Sequence, residues 1–196
     1  MSGELKVRHI KMPGPGASWK LRNMLRWGYL SGWLATKAAK ALSALTGIPT
    51  MTSELSAVLI RGDGTRINYG VLGRKVVTTA FVNFVTDQLQ TETSVFGDFK
   101  FHDSGVGTTA EAVGDTGIET TDGESRATGT QTESAANAYQ SVGTITYTTT
   151  KAITEHGLFN DASAGTLMDR TVFSAVNVVN TESIQFTFTL TINSGG

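Results

Sequence analysis

The sequence predicts a mainly β protein: an antiparallel β-sandwich with one packed helix and an extended or helical N-terminal arm. Its composition favours strands, because apolar residues make up only 39% while threonine occurs 30 times and glycine 22 times. Residues 183–193 alternate without error between apolar and polar side chains, which is typical of a strand with one buried face. The start of the chain is basic and carries the tryptophans, so we divide the chain into an arm, 1–54, and a Thr-rich sandwich domain, 55–196.

The arm is predicted to begin extended and to continue as a helix. Residues 12–16 read Met-Pro-Gly-Pro-Gly, in which prolines remove hydrogen-bond donors and glycines permit turns. Ser18 is a suitable N-cap for a helix that runs to about Leu45, with Gly47 placed to end it. Two glycines weaken the middle of this segment, so it forms either one kinked helix or two short ones.

The sandwich domain is predicted to open with a hairpin and a helix. Residues 55–61 and 66–72 read as two strands, and the Gly62-Asp63-Gly64-Thr65 sequence between them is a strong turn signal. Apolar residues at helical spacing predict the packed helix over residues 79–90.

The rest of the domain is predicted to be strands and loops. Residues 102–129, rich in Gly, Thr and acids, indicate a long loop that is functional or ordered by a neighbour. A change of parity between Val142 and Ile145 predicts a β-bulge near Gly143. Strands are expected at 127–134, 142–150, 152–159, 167–176 and 183–193, which gives six to eight strands in total.

Charge is distributed unevenly along the chain. Residues 1–50 hold eight Lys and Arg against one acid, a charge of +7, whereas residues 51–196 hold eight bases against 16 acids, a charge of −8. A basic arm on an acidic body is attracted to an acidic protein surface, to a neighbouring subunit or to nucleic-acid phosphates.

Several classes of protein do not fit the sequence. The chain has no cysteine, which excludes disulfides, thiolate metal sites and cysteine nucleophiles. Its most apolar stretch, residues 27–36, is far shorter than the roughly 20 residues that span a bilayer, so no membrane segment is expected. The first 16 residues lack the apolar core of a secretory signal, so none is expected there.

The histidines offer weak candidates for a catalytic or metal site. Only three are present, and none has a second histidine at metal-pair spacing. His102 precedes Asp103 and Glu155 precedes His156, but neighbouring residues on a strand point to opposite faces, which favours structural roles. No serine lies in a Gly-x-Ser-x-Gly elbow and no phosphate-binding glycine loop is present. We therefore predict that the protein is not an enzyme and has no catalytic residue, cofactor or metal.

Two motifs that resemble binding sites are explained by loop and turn structure. Residues 115–124 carry four carboxylates but lack EF-hand spacing, so a solvated loop is favoured over a calcium site. Arg61-Gly62-Asp63 spells an integrin-type tripeptide at a position where the hairpin turn itself requires Gly and Asp.

The arm carries the residues that we predict to bind a partner. Trp and Arg are the favoured anchors of protein interfaces, so a protein partner is preferred. Single-stranded nucleic acid, bound by stacking and neutralisation, is a less favoured alternative, and a membrane surface is disfavoured because the basic face is sparse. The predicted residues are Trp19, Arg22, Arg26, Trp27, Trp33, Lys37 and Lys40.

Four segments of the sandwich domain resemble structural proteins of tailed bacteriophages. Their shared pattern is "GxGTTA…GDT…R", "ITEHGLF" and "RTVFS", and the resemblance spans roughly residues 70–196. It implies a β-sandwich module that repeats in a virion and implies no known activity. The segments are Phe101–Gly117, Ile153–Phe159, Asp169–Phe173 and the strand Ser183–Asn193.

The resemblance implies a virion location, with assembly in the host cytoplasm, and three functions fit it. The first is a capsid decoration or cement protein that the arm anchors to the major capsid protein. The second is a tail or neck component. The third is a carbohydrate-binding module that uses the long loop. The absence of aromatic residues between Phe101 and Tyr139 argues against this third function. Repeated virion positions impose symmetry, so we also expect a homo-oligomer, a trimer or larger.

Overall fold

The computed structural model describes residue 34, residues 37–38, 41–42, 44–74, 77–89 and 98–194. The described residues between 34 and 46 are helical, and we call them the 34–46 segment. Gly47 follows it with a φ of +70°, the left-handed conformation in which glycine ends helices, as the sequence predicted. After this segment come β1 (Thr50–Ile60), β2 (Arg66–Gly73), α1 (Thr79–Gln88), β3 (Phe101–Gly105), β4 (Ala127–Thr128), β5 (Thr130–Ala135), β6 (Ala138–Thr146), β7 (Lys151–Phe159), β8 (Leu167–Val178) and β9 (Ser183–Asn193).

The strands form two antiparallel sheets that pack together as a sandwich, which confirms the predicted fold class. Sheet A has the strand order β2-β1-β9-β6-β5, and sheet B has the order β4-β3-β7-β8. The core between them consists of the inward residues of both sheets, as the alternating sequence pattern requires.

Strand β9 lies at the centre of sheet A and has the bounds that the sequence predicted. It pairs with β1 on one side and with β6 on the other. Its apolar residues up to Leu190 face the core, Ile192 at its end is exposed, and its threonines, Thr187, Thr189 and Thr191, face outward. The inward residues are Ile184, Phe186, Phe188 and Leu190, none more than 2% exposed.

Helix α1 closes one side of the core. The hydroxyl of Thr78 caps it by accepting from the N–H of Phe81 at 3.2 Å and donates to the carbonyl of Leu167. Phe81 and Phe84 both meet the ring of Phe99 edge-on, with centroids about 5 Å apart. The helix was predicted over 79–90 and ends at Gln88.

The hairpin between β1 and β2 follows the predicted turn chemistry. Gly64 has a φ of +83°, and a carboxylate oxygen of Asp63 accepts the N–H of Thr65 at 2.8 Å. Arg61 donates twice to the carboxylate of Glu182 in the β8–β9 turn. The side chains of Arg61 and Asp63 in the Arg61-Gly62-Asp63 tripeptide are therefore both bonded within the fold.

Three strand predictions need correction. The strand predicted at 142–150 is β6, which runs from Ala138 to Thr146. The predicted bulge near Gly143 is wrong, because β6 pairs with β9 in continuous register from Ala138 to Thr146. Gly143 occupies an inward position there, so the apparent change of parity reflects a missing side chain. The predicted strand 127–134 is broken at Gly129, where the chain passes from sheet B to sheet A.

Strand β1 begins at Thr50, where it pairs with Asn193, and so extends into the range that the sequence assigned to the arm. Among the described residues, no helix has both the length and the apolar character needed to cross a membrane.

Candidate functional site

The structure describes one of the seven arm residues predicted to bind a partner. Lys37 lies in the 34–46 segment and is exposed. The other six, Trp19, Arg22, Arg26, Trp27, Trp33 and Lys40, lie outside the described residues.

The junction between the arm and the sandwich exposes apolar side chains. Leu34, Leu42 and Leu45 of the 34–46 segment are 57%, 53% and 85% exposed, and Ile48 after it is 58% exposed. Spacings of eight and three residues, close to whole turns, place Leu34, Leu42 and Leu45 near one side of a helix. This surface does not pack on the core of the sandwich.

Two histidines meet in the core between the sheets. The Nδ1 atom of His102 on β3 lies 2.9 Å from Nε2 of His156 on β7, and Nε2 of His102 lies 2.9 Å from the hydroxyl of Ser141 on β6. Both histidines have zero exposure, and the His156 ring lies against Phe186. Burial lowers the pKa of His102 to about 3. Burial and the neighbouring His102 hold the pKa of His156 well below its usual value.

The hydrogen bonds of this pair select one set of tautomers. The Nδ1 atom of His156 is buried without a hydrogen-bond partner, and a bare lone pair there costs less than an unpaired N–H. His156 therefore carries its proton on Nε2 and donates to His102. Nδ1 of His102 accepts this bond, so its own proton is on Nε2 and is donated to Ser141.

Two glycines make room for the His102 ring. A Cβ atom at Gly143 would lie 2.7 Å from Cγ of His102, and one at Gly129 would lie 2.6 Å from the Ser141 hydroxyl and 2.7 Å from Nε2 of His102. Any larger residue at either position collides with the buried imidazole. Gly143 on β6 thus leaves the space that the His102 ring occupies.

The outer face of sheet B carries a buried ion pair. Nε of Arg170 on β8 donates to the Glu155 carboxylate on β7 at 2.7 Å, and the two side chains are 4% and 0% exposed. The guanidinium also reaches the carboxylates of Asp115 at 3.0 Å and Glu119 at 3.2 Å, and the carbonyl of Thr109. Arg170 therefore binds the long loop to the sheet.

Glu155 completes this attachment through its own oxygens. It accepts backbone N–H groups from Gly107, Glu119 and Thr120 at 2.8–3.0 Å. The predicted acidic loop, residues 115–124, lies at the surface with every residue exposed or half-buried, and its carboxylates are bonded within the chain. The order of the loop comes from its own protein, through a residue pair that the sequence analysis had not linked.

A second arginine clamps the far end of the loop. Nε of Arg126 donates to Asp103 at 2.9 Å, and its terminal nitrogen donates to the carbonyls of Asp161 and Ala164. The guanidinium lies 3.4 Å from the centroid of the Phe159 ring, a cation–π contact. Asp103 thus faces away from His102, as the alternation of the strand predicted.

The other carboxylates of the loop are also bonded. Asp122 accepts the hydroxyl of Ser104 at 2.5 Å, and burial raises the pKa of this carboxyl. Glu124 accepts from Lys151 at 2.5 Å and from the N–H and hydroxyl of Thr148. No group of three or more metal-ligating side chains is present among the described residues.

The outer face of sheet A has a different character. Its outward residues are exposed or half-buried, and none is buried. They are mostly Thr, Ser, Gln and Val, with two charged members, Glu54 and Arg66. The uncharged outward residues in the middle of this face include Thr52, Ser56, Val58, Thr130, Thr132, Gln140, Val142, Thr144, Gln185, Thr187, Thr189 and Thr191.

A surface pocket of about 800 Å³ lies at one end of the sandwich. It is lined by the ends of β5, β6 and β9 together with Pro49. Tyr139 on its wall donates its hydroxyl to the carbonyl of Phe99 and accepts from Gln131. Tyr139, the aromatic side chain in this lining, is therefore fixed by a hydrogen bond to the buried residue Phe99.

The sequence patterns that carried the phage resemblance coincide with these contacts. Gly107, Thr109 and Asp115 belong to the first pattern, Glu155 and His156 to the second, and Arg170 to the third. The residues meet as the anchor of the loop and as the histidine pair. Arg170 and Glu155 bind the loop to sheet B. The histidines form hydrogen bonds inside the core and have no access to solvent.

Comparison of the chain with protein-family models, with curated proteins and with solved structures finds no match.

Proposed function

We propose that this chain is a non-enzymatic structural protein of a tailed-bacteriophage virion, and within that class a capsid decoration protein fastened by its N-terminal arm. One observation carries the proposal. The segments that resemble phage virion proteins supply the buried contacts of Arg170, Glu155 and His156, so the resemblance covers residues that build this sandwich. A shared pattern that builds a rigid module fits a repeated structural part.

The state of the ionisable side chains supports a structural role. General acid–base catalysis needs a group that can reach substrate. His102 and His156 have zero exposure and point into the core, and Glu155 is enclosed by backbone donors and Arg170. These groups act as structural hydrogen-bond partners.

The arm supports the fastening role. Its residues 1–50 carry +7, and the 34–46 segment displays apolar side chains that the sandwich does not cover. A short helix gains most of its stability from packing an apolar face, so this segment is suited to docking on another protein. Tryptophan and arginine nearby in the sequence are the side chains that anchor such interfaces.

Removal of the arm tests the proposal. A chain that begins at Thr50 keeps all of β1, and we expect it to fold but to lose binding to phage particles that lack this protein, measured by co-sedimentation. In the full chain, replacing Trp19, Trp27 and Trp33 with Ala should produce the same loss, because each can bury about 150–250 Å². Undiminished binding of the truncated chain would contradict the proposal.

Salt and copy number distinguish the alternatives. Replacing Lys37 and Lys40 with Ala should weaken binding only modestly, since exposed charges are screened beyond about 8 Å at physiological ionic strength. Affinity that falls steeply with salt would instead indicate nucleic acid. Hundreds of copies per virion would place the protein on the shell, and a dozen or fewer would place it in the tail or neck.

A further inference from the structure

The outer face of sheet A forms continuous rows of uncharged side chains. Ser56, Thr187, Val142 and Thr130 are register partners across β1, β9, β6 and β5. The next rows on either side are also outward and contain mostly Thr and Gln. Cross-strand neighbours of this kind lie about 5 Å apart, so the face is a regular array.

Charge is nearly absent from this face. Glu54 and Arg66 are the only charged residues among the outward positions of the five strands, and each is bonded within the chain. Glu54 pairs with Arg74 at 2.6 Å, and Arg66 donates to Gln185 at 2.8 Å. Charged residues make up about 25–35% of a typical soluble surface, so this face has the low charge of an interface.

A loop covers the outer face of sheet B, whereas no described loop covers the outer face of sheet A. Residues 106–126 lie over the outer face of sheet B and are fixed there by Arg170 and Arg126. On sheet A, Thr130, Thr132 and Thr144 are exposed, and the outward residues of the central strands are half-buried. Within the part of the chain that the structure describes, the outer face of sheet A therefore has no covering loop like that of sheet B.

We propose that this face binds the same face of a second copy of the chain. At about 4.8 Å between strands and about 3.4 Å per residue, the five strands cover roughly 700 Å². A stable interface buries about 800 Å² per partner, so the face is close to the size that a dimer needs. A face with so few charges can also meet itself with little repulsion.

The positions of the two charged residues favour a two-fold arrangement. Glu54 pairs with Thr189 along the sheet, whereas Arg66 pairs with Ile60 at the far end of β1. A two-fold axis that reverses the strand direction brings Glu54 of one copy toward Arg66 of the other. Arg66 of one copy then lies close to the Glu54–Arg74 ion pair of the other, where its guanidinium can share the Glu54 carboxylate. This contact is separate from the arm and does not depend on attachment to a virion.

The test uses the full chain and measures its mass against concentration by light scattering and sedimentation. We expect a dimer, which differs from the trimer or larger oligomer expected from virion symmetry alone. We expect Thr187→Lys to raise the dimer dissociation constant at least ten-fold, because it places a charge at the centre of the face in both copies. The matched control is Thr116→Lys, which alters an exposed threonine over sheet B and should leave the dimer unchanged. Thermal unfolding of each variant verifies that it is folded.

Several outcomes would overturn the inference. One is a parent protein that remains monomeric up to hundreds of micromolar. Another is dimerisation that Leu45→Lys on the 34–46 segment abolishes while Thr187→Lys does not, which would assign self-association to the arm. A monomer that binds an insoluble polysaccharide, with binding lost in Thr187→Lys, would assign the face to carbohydrate.

Discussion

His102 and His156, on neighbouring strands of sheet B, share a hydrogen bond of 2.9 Å in the core. Neither ring reaches solvent, and both are neutral because burial lowers their pKa values. The surrounding charged and titratable groups offer little compensation for a proton. On β8, Asp169 accepts the hydroxyls of Ser53 and Thr171, and on β3, Ser104 is bonded to Tyr147 and Asp122.

The first prediction is that acid destabilises the fold through this pair. A histidine with a folded pKa of about 3 and an unfolded pKa near 6.5 binds its proton in the unfolded chain first. Stability is therefore complete above about pH 6.5 and falls as the pH drops toward 3. Each histidine contributes a slope of up to about 1.4 kcal/mol per pH unit.

Urea unfolding between pH 7.5 and 5 measures this slope. His102→Ala and His156→Ala should each reduce the slope by about one proton, even though each also lowers stability at pH 7.5 by opening a cavity. His9→Ala in every chain removes the remaining histidine from the titration. Equal slopes in the parent and in the double variant would refute the role of the pair.

The second prediction concerns the proton positions. Nitrogen NMR of the imidazoles at pH 7 should show both histidines neutral and protonated on Nε2, because this is the arrangement that leaves no buried N–H unpaired. A short unstructured peptide that contains histidine serves as the reference for an ordinary tautomer mixture. A proton on Nδ1 of His156 would contradict the assignment and would require a further acceptor at that atom.

The third prediction is that Gly143→Ala destabilises the protein by about 1–3 kcal/mol, the usual effect of overpacking a core. Its Cβ would lie 2.7 Å from Cγ of His102. Gly114→Ala is the matched control, with no atom within 4 Å of its Cβ, and should change stability by less than about 0.5 kcal/mol. The cost of Gly143→Ala should shrink in a chain that also carries His102→Ala. An unchanged cost there would show that the ring is not the obstacle.

The fourth prediction is that Arg170→Met releases the long loop. It leaves the Glu155 charge buried without its cation, which costs about 3–5 kcal/mol. Amide exchange at Gly107, Glu119 and Thr120, whose N–H groups donate to Glu155, should accelerate. Lys100→Met, which removes one exposed ion pair with Asp98, should have little effect on either measurement.

A double variant refines this result. Adding Glu155→Gln to Arg170→Met removes the uncompensated charge, so the double variant should be more stable than the sum of the two single costs implies. Additive costs would show that the two residues stabilise the loop independently.

The sequence by itself determined most of the strands. Strict alternation fixed β9 from Ser183 to Asn193, and the glycines and Asp63 fixed the first hairpin, because these signals are local and each residue reports its own face or turn. Gly47 likewise identified a helix end through its left-handed backbone conformation.

Only the tertiary structure decided which distant residues share a site. Gly143 looked like a bulge because its inward neighbour is His102, 41 residues earlier in the chain, whose ring fills the space of the missing side chain. The cations that bind the 115–124 acids come from other strands: Arg170 on β8 binds Asp115 and Glu119, and Lys151 on β7 binds Glu124. Local periodicity carries no information about such partners, since sheet order and loop placement bring them together only after the chain has folded.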